Sequence, residues 1–265
     1  MIRLIAADLD GTLLNSQHEF SKHLFPLIAK LKNRGVCFAP ASGRQYYNLR
    51  ELFEPVAKDI IFICENGAVV FRGDHELFVD QILPDAFLAP LETVRSLPGM
   101  HAVLCGIKSA YIEDTEPIFV ENARMYYKEL RIVRNLNDIL AKDKLFKLAV
   151  FCKDAAETTS YPALIPCRNR FQVVLSGRDW VDLMNPTTNK GTALRRVQKI
   201  EGLVADECMA FGDYLNDVEL LQAVTHSYAM ANAHPELKKF CRYEALSNDE
   251  DGVVRAIQDY LQLVE

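Results

Sequence analysis

A chain of 265 residues, 49% hydrophobic and 25% charged, can form one large domain or two modest ones, with a core that needs no disulfide or metal staple. Thirty basic against 36 acidic residues leave a net charge of −6, which argues against a nucleic-acid or anionic-membrane binder but not against a small anionic substrate. Seven cysteines without a CxxC pair disfavour a zinc cage or a thioredoxin-like motif and read as reduced core thiols.

Along the chain, Leu4-Ile5-Ala6-Ala7 reads as a buried strand stopped by the Asp10-Gly11 turn. Leu24, Leu27, Ile28 and Leu31 mark a helix between Ser21 and Gly35, with Pro26 implying a late start or a kink. Val36–Ala41 and Ile60–Cys64 read as strands, with a helix from Leu49 to Val56 between them. The same alternation returns later: a helix through Ala193, Leu194, Val197 and Ile200, a strand at Cys208–Phe211, and a helix through Val218, Leu221 and Val224. Wholly apolar strands alternating with helices predict an α/β fold around a parallel sheet.

The middle of the chain differs. Strands come in near pairs, Ala102–Ile107 with Ala110–Glu113 and Phe171–Leu175 with Trp180–Met184. Helical patterns run from Leu88 to Leu97 and from Ile118 to Tyr127. The expected organisation is a discontinuous core of residues 1–83 and 186–265 carrying an inserted α+β module, 84–185, bounded by Pro84-Asp85 and Asn185-Pro186. With no signal-peptide pattern and no run of 18 apolar residues, a cytoplasmic location is expected.

Four segments carry chemistry. Asp8-Leu9-Asp10-Gly11-Thr12 ends the first strand, where ligands of open parallel sheets bind, and residues i and i+2 of an extended chain point to one side. A calcium loop is excluded because Leu13 stands where such a loop needs glycine. Gly212-Asp213-Tyr214-Leu215-Asn216-Asp217 puts two acids and an amide on one face of a helix start, which suits either a hard cation or a plain N-cap with solvated neighbours. Ala41-Ser42-Gly43-Arg44 combines a hydroxyl, an approachable backbone and a guanidinium, the makings of a phosphate cradle or of an ordinary turn. Asn189-Lys190-Gly191 places a lysine against the dipole at a helix N-terminus, which reads either as an ordinary exposed lysine or as one that an anion or carboxylates compensate. The six histidines show no ligand spacing and read as structural or solvated, and Trp180 as packing of the inserted sheet.

Taken together, these segments resemble the haloacid dehalogenase-like superfamily of phosphohydrolases, in its Cof-type branch. Glu65-Asn66-Gly67-Ala68, Ala229-Met230-Ala231-Asn232-Ala233 and Glu250-Asp251-Gly252-Val253 match that branch too. Ser42 to Tyr47 and Ser109-Ala110-Tyr111 are similar to its sugar-phosphate phosphatases. The resemblance implies a Rossmann-like core with a cap that closes over the site, and hydrolysis of a small phosphorylated metabolite without nucleic-acid, membrane or obligate protein partners. It further implies Asp8 as nucleophile and Asp10 as acid–base, with Mg²⁺ on the carboxylates of Asp8 and Asp213 and the backbone carbonyl of Asp10. Leu9, Ser42, Gly43, Lys190 and Asn216 would bind the phosphoryl group, and Asp217 would orient Lys190. Arg44, Asn66 and Asn185 are the substrate-side candidates. The rival readings are a phosphomutase, a dehalogenase disfavoured by the second acid Asp10, and a sensor that has lost catalysis. One departure from the branch is the stretch Asp154 to Ile165, broken by Pro162 and Pro166, where a truncated cap helix is expected.

Overall fold

A computed structural model of the chain describes residues 1–263. The chain divides into two compact units, Met1–Phe78 with Asn189–Glu265, and Val79–Thr188. The borders therefore fall at Val79 and Thr188, not at Pro84 and Asn185. The cross-links explain the second border: Asn185 donates to the Asp80 and Gln81 carbonyls at 3.2 and 3.4 Å, and Gln172 donates to the Asn185 and Thr188 carbonyls at 2.9 and 2.7 Å. These bonds tie both connecting segments to the inserted unit.

The first unit holds strands β1 (Leu4–Asp8), β2 (Cys37–Ala41), β3 (Ile61–Cys64), β4 (Val69–Arg72), β5 (His75–Val79), β6 (Cys208–Gly212), β7 (His226–Met230) and β8 (Tyr243–Ala245). They form one sheet in the order β8-β7-β6-β1-β2-β3-β4-β5. Neighbours from β8 to β3 run parallel, and β4 returns antiparallel against β3. Every residue of β1 and β6 is buried, as their unbroken apolar sequences require of central strands. β1 pairs with β2 on one side and with the sequence-distant β6 on the other (Leu4 opposite both Cys37 and Cys208). This reversal of strand order opens a crevice at the carboxyl ends, where a ligand site belongs.

The helices depart from expectation at their ends. Pro26 lies in the first turn of the Leu24–Asn33 helix, where its missing N–H has no intrahelical partner to lose. The helix expected over Leu49–Val56 runs from Tyr46 to Leu52 and gives way to tight 3-10 turns at Glu54–Asp59, because Pro55 cannot donate back to the preceding turn. The Lys190–Glu201 helix is capped by Asn189, whose side chain accepts from the Thr192 N–H at 2.7 Å, and ends at Gly202 with φ 62°. The next helix stops at Leu221 instead of Val224, and the Ala223 carbonyl is taken by the Gln198 side chain at 2.8 Å. Among the described residues, no helix is long and apolar enough to cross a membrane.

The second unit is a six-stranded sheet in the spatial order Gln172–Leu175, Trp180–Met184, Leu145–Phe151, His101–Gly106, Ala110–Ile112, Leu130–Ile132. Both expected hairpin pairs are present and antiparallel. The sequence pattern assigns nothing to Leu145–Phe151, yet this strand lies inside the sheet with all seven residues buried. Leu148, Val150, Val181 and Leu183 pack there with Phe87, Leu91 and Val94. The Asp154–Ile165 stretch is helical throughout most of its length and beyond it. A wide π turn at Ala156–Ser160, an α turn at Tyr161–Leu164 and a 3-10 turn at Ile165–Asn169 follow one another, the winding changing beside each proline.

Candidate active site

Asp8 is the last residue of β1, and Asp213 follows β6 directly, so two neighbouring parallel strands deliver their acids to one end of the sheet. Gly11 makes this approach feasible. It has φ +80°, and a Cβ on it would sit 2.4 Å from Oδ2 of Asp213. The Thr12 hydroxyl, next in the chain, donates to Oδ1 of Asp213 at 3.0 Å. Sequence reasoning gave Thr12 no role, although its place two residues after Asp10 was the available signal.

Lys190 enters from the helix that starts there. Its ammonium donates to Asp8 and to Oδ1 of Asp217, the latter at 2.7 Å, and its side chain is 1% exposed. Asp217 is fully buried, and its other oxygen accepts the backbone N–H groups of Asp213 and Tyr214 at 3.1 and 3.3 Å. Close packing makes this possible, since a Cβ on Gly191 would lie 2.0 Å from the Glu219 carbonyl oxygen. Oxygens of Asp8, Asp213 and Asp217 lie within 4.8 Å of one another.

Asp10 stands apart from that cluster. The two side chains differ in surroundings: Asp8 is buried, while the Asp10 side chain is 49% exposed and paired with Arg44. β1 ends at Asp8 and Leu9 already lies in a turn, so strand alternation does not fix where the Asp10 side chain points.

The remaining candidates are placed as follows. Ser42 is buried at the end of β2, its hydroxyl accepting from the Arg44 N–H at 3.2 Å. Gly43 lies against Asn66, whose amide nitrogen would be 3.1 Å from a Cβ there. Asn66 has φ 53°, and its Oδ1 is buried without a hydrogen-bond partner. Leu9 is buried, so only its backbone can reach a ligand. Asn216 is exposed on the turn before Asp217. Arg44 is on Asp10, and the Asn185 amide is occupied by the Asp80 and Gln81 carbonyls.

The electrostatics follow from burial. Desolvation pushes the Asp8 carboxyl up to about 8, against the pull of Lys190 and with added repulsion from Asp217. Asp213 is raised by burial and by the Asp217 charge. Burial alone would lower the Lys190 ammonium, but Asp8 and Asp217 outweigh it and hold its pKa above the ordinary value. Three carboxylates therefore face one ammonium. Asp217 accepts from Lys190 and two N–H groups, whereas Asp8 and Asp213 have fewer donors and keep more acceptor sites free. That donor set, all oxygen and two positive charges short, fits a hard divalent cation.

The fold and site agree with comparisons to known proteins. The profile of the haloacid dehalogenase-like hydrolases matches residues 5–257, and the chain belongs to that family. It is 33% identical over 264 residues to the Escherichia coli 5-amino-6-(5-phospho-D-ribitylamino)uracil phosphatase YbjI, covering 98% of this chain and 97% of the relative. It is 27% identical to the Cronobacter sakazakii HMP-PP phosphatase, over 89% of this chain and 87% of that protein. Among solved structures, SMU.1108c from Streptococcus mutans superposes with a TM-score of 0.82 at 30% identity, over 99% of this chain and all of that one (100%).

Proposed function

We propose that this hydrolase is a Mg²⁺-dependent phosphatase of small phosphorylated metabolites, acting on sugar or sugar-alcohol phosphates through an aspartyl-phosphate. The observation that carries the reading is the Lys190 ammonium held between buried Asp8 and Asp217, with Asp213 beside them. Names of the relatives support the substrate class, since that of the Escherichia coli relative specifies a ribityl phosphate.

In this reading Asp8 attacks phosphorus, and the bond to the leaving oxygen breaks as Asp10 protonates it. Asp10 then takes a proton from water, whose oxygen attacks the aspartyl-phosphate and releases phosphate. Lys190 favours the ionised form of Asp8 against the pull of burial and, with the Ser42 hydroxyl and the Gly43 and Leu9 backbone, binds the phosphoryl oxygens. Asp217 fixes the lysine, and Asn216 stands by the phosphate. Mg²⁺ held by Asp8, Asp213 and the Asp10 carbonyl would neutralise repulsion between the nucleophile and the phosphate.

A phosphate-release screen over phosphorylated sugars, sugar alcohols, nucleotides and cofactors, with Mg²⁺ or with chelator, tests the proposal. Release from sugar-type esters only with the metal is expected. Full activity in chelator overturns the metal role, and formation of an isomeric phosphate in place of free phosphate marks a mutase.

A further inference from the structure

The Arg44 guanidinium grips both oxygens of Asp10, Nη2 on Oδ1 at 2.6 Å and Nε on Oδ2 at 3.3 Å. Both side chains are well exposed, 37% for Arg44 and 49% for Asp10, where an ion pair adds little to fold stability. Yet the root of Arg44 is fixed on both sides. Its N–H donates to the Ser42 hydroxyl at 3.2 Å, and its carbonyl accepts from the Glu65 N–H at 3.1 Å. Asp10 has no other side-chain partner among the described residues. A carboxylate offers about four acceptor sites, and the fork takes two. Arg44 thus selects one orientation of an exposed side chain that would otherwise sample several rotamers, and it leaves acceptor sites open on that carboxylate.

We propose that Arg44 is a positioning residue that acts through Asp10, holding the acid–base carboxylate for both proton transfers, and is not a contact to the leaving group. This rests on the phosphatase reading above. In the first transfer the leaving oxygen takes the proton from Asp10 as its bond to phosphorus breaks. In the second, water gives a proton to Asp10 as its oxygen bonds to phosphorus. The sum is ester plus water to alcohol plus phosphate, with Asp10 restored.

Two esters separate this role from the alternatives. The alkoxide leaving ribose 5-phosphate needs a proton, whereas the phenolate leaving 4-nitrophenyl phosphate does not. Water deprotonation is common to both. For Arg44→Met, kcat/KM with ribose 5-phosphate falls about 10- to 100-fold and with 4-nitrophenyl phosphate less than about threefold, a fraction of the general-acid contribution. The kcat with 4-nitrophenyl phosphate falls about tenfold too, with a burst of nitrophenolate, because the second transfer is also impaired. Arg44→Lys, charged but unable to fork, lies between Arg44→Met and the wild type. Equal losses of kcat/KM with both esters would make Arg44 a phosphate ligand and overturn the inference alone. Unchanged kcat with 4-nitrophenyl phosphate would make it a sugar contact, with the same consequence. A wild-type protein that hydrolysed neither ester would overturn the phosphatase reading and this inference with it.

Discussion

Lys190 reaches Asp217 at 2.7 Å and bonds Asp8 with the same ammonium, Lys190 and Asp217 being shut off from solvent and Asp8 nearly so. The lysine sits against the dipole at the start of its helix, and the two carboxylates compensate it. Its removal leaves buried acids facing each other with no cation between them.

Lys190→Met is therefore expected to lose stability as well as activity. Breaking a buried ion pair on one side costs about 3–5 kcal/mol. Urea unfolding reads that loss, and phosphate release reads a fall in turnover of about 10²–10³-fold. A variant as stable as the wild type would show that Lys190 does not compensate Asp8 and Asp217.

Asp8→Asn separates the two effects. Burial raises the Asp8 carboxyl to about 8, so at neutral pH the folded chain holds a proton that the unfolded chain gives up, at a cost in stability. An amide of the same shape accepts from Lys190 and removes the charge. The expected variant has no turnover and, without metal, a melting temperature at or above that of the wild type, in keeping with sites that trade stability for function. Residual phosphatase activity in purified Asp8→Asn protein would remove Asp8 from its role.

Much of this was legible because the informative residues are strand ends. Apolar runs such as Leu4–Ala7 and Cys208–Phe211 betray buried parallel strands, and whatever polar residues follow them fall at the crevice. The Asp10 side chain was not legible in the same way, because β1 ends at Asp8 and strand alternation no longer sets direction two residues beyond it. The Asn185 amide nitrogen is engaged by carbonyls 105 and 104 residues away in sequence, a pairing no local pattern reveals. The Leu145–Phe151 strand escaped because Lys147 interrupts its apolar run, and that lysine is buried over the Tyr127 ring, at 5.3 Å from its centre.

Gly11→Ala tests the turn. The added methyl meets Oδ2 of Asp213 at 2.4 Å, and φ +80° is unfavourable for alanine. Asp213 must swing away, breaking the Thr12 hydrogen bond. Strain of about 1–3 kcal/mol is expected in thermal or urea unfolding. Mg²⁺ titrated by calorimetry should bind at least tenfold more weakly, about 1.4 kcal/mol. Unaltered metal affinity would mean that Asp213 is not held through Gly11.

The last prediction concerns metal and pH together. The folded pKa of Asp8, about 8, lies above its ordinary value of 3.8, and Asp213 is shifted the same way. For a carboxyl shifted upward, the unfolded chain loses its proton first, so the stability present at low pH declines as pH rises from the ordinary aspartate range through about 8. A divalent cation needs the ionised carboxylates that this burial penalises, and protons compete with it. Saturating MgCl₂ should therefore raise the melting temperature more at about pH 8.5 than at about pH 6, reversing the alkaline loss. At a hundred times its dissociation constant the ion would add about 2.7 kcal/mol. Asp213→Asn should abolish most of the shift at the higher pH while leaving the Lys190 contacts with Asp8 and Asp217 in place. Thermal scans at both pH values, with magnesium or with chelator, decide the matter. A shift equal at the two values, or larger at the lower one, would mean that the cation does not bind at Asp8 and Asp213.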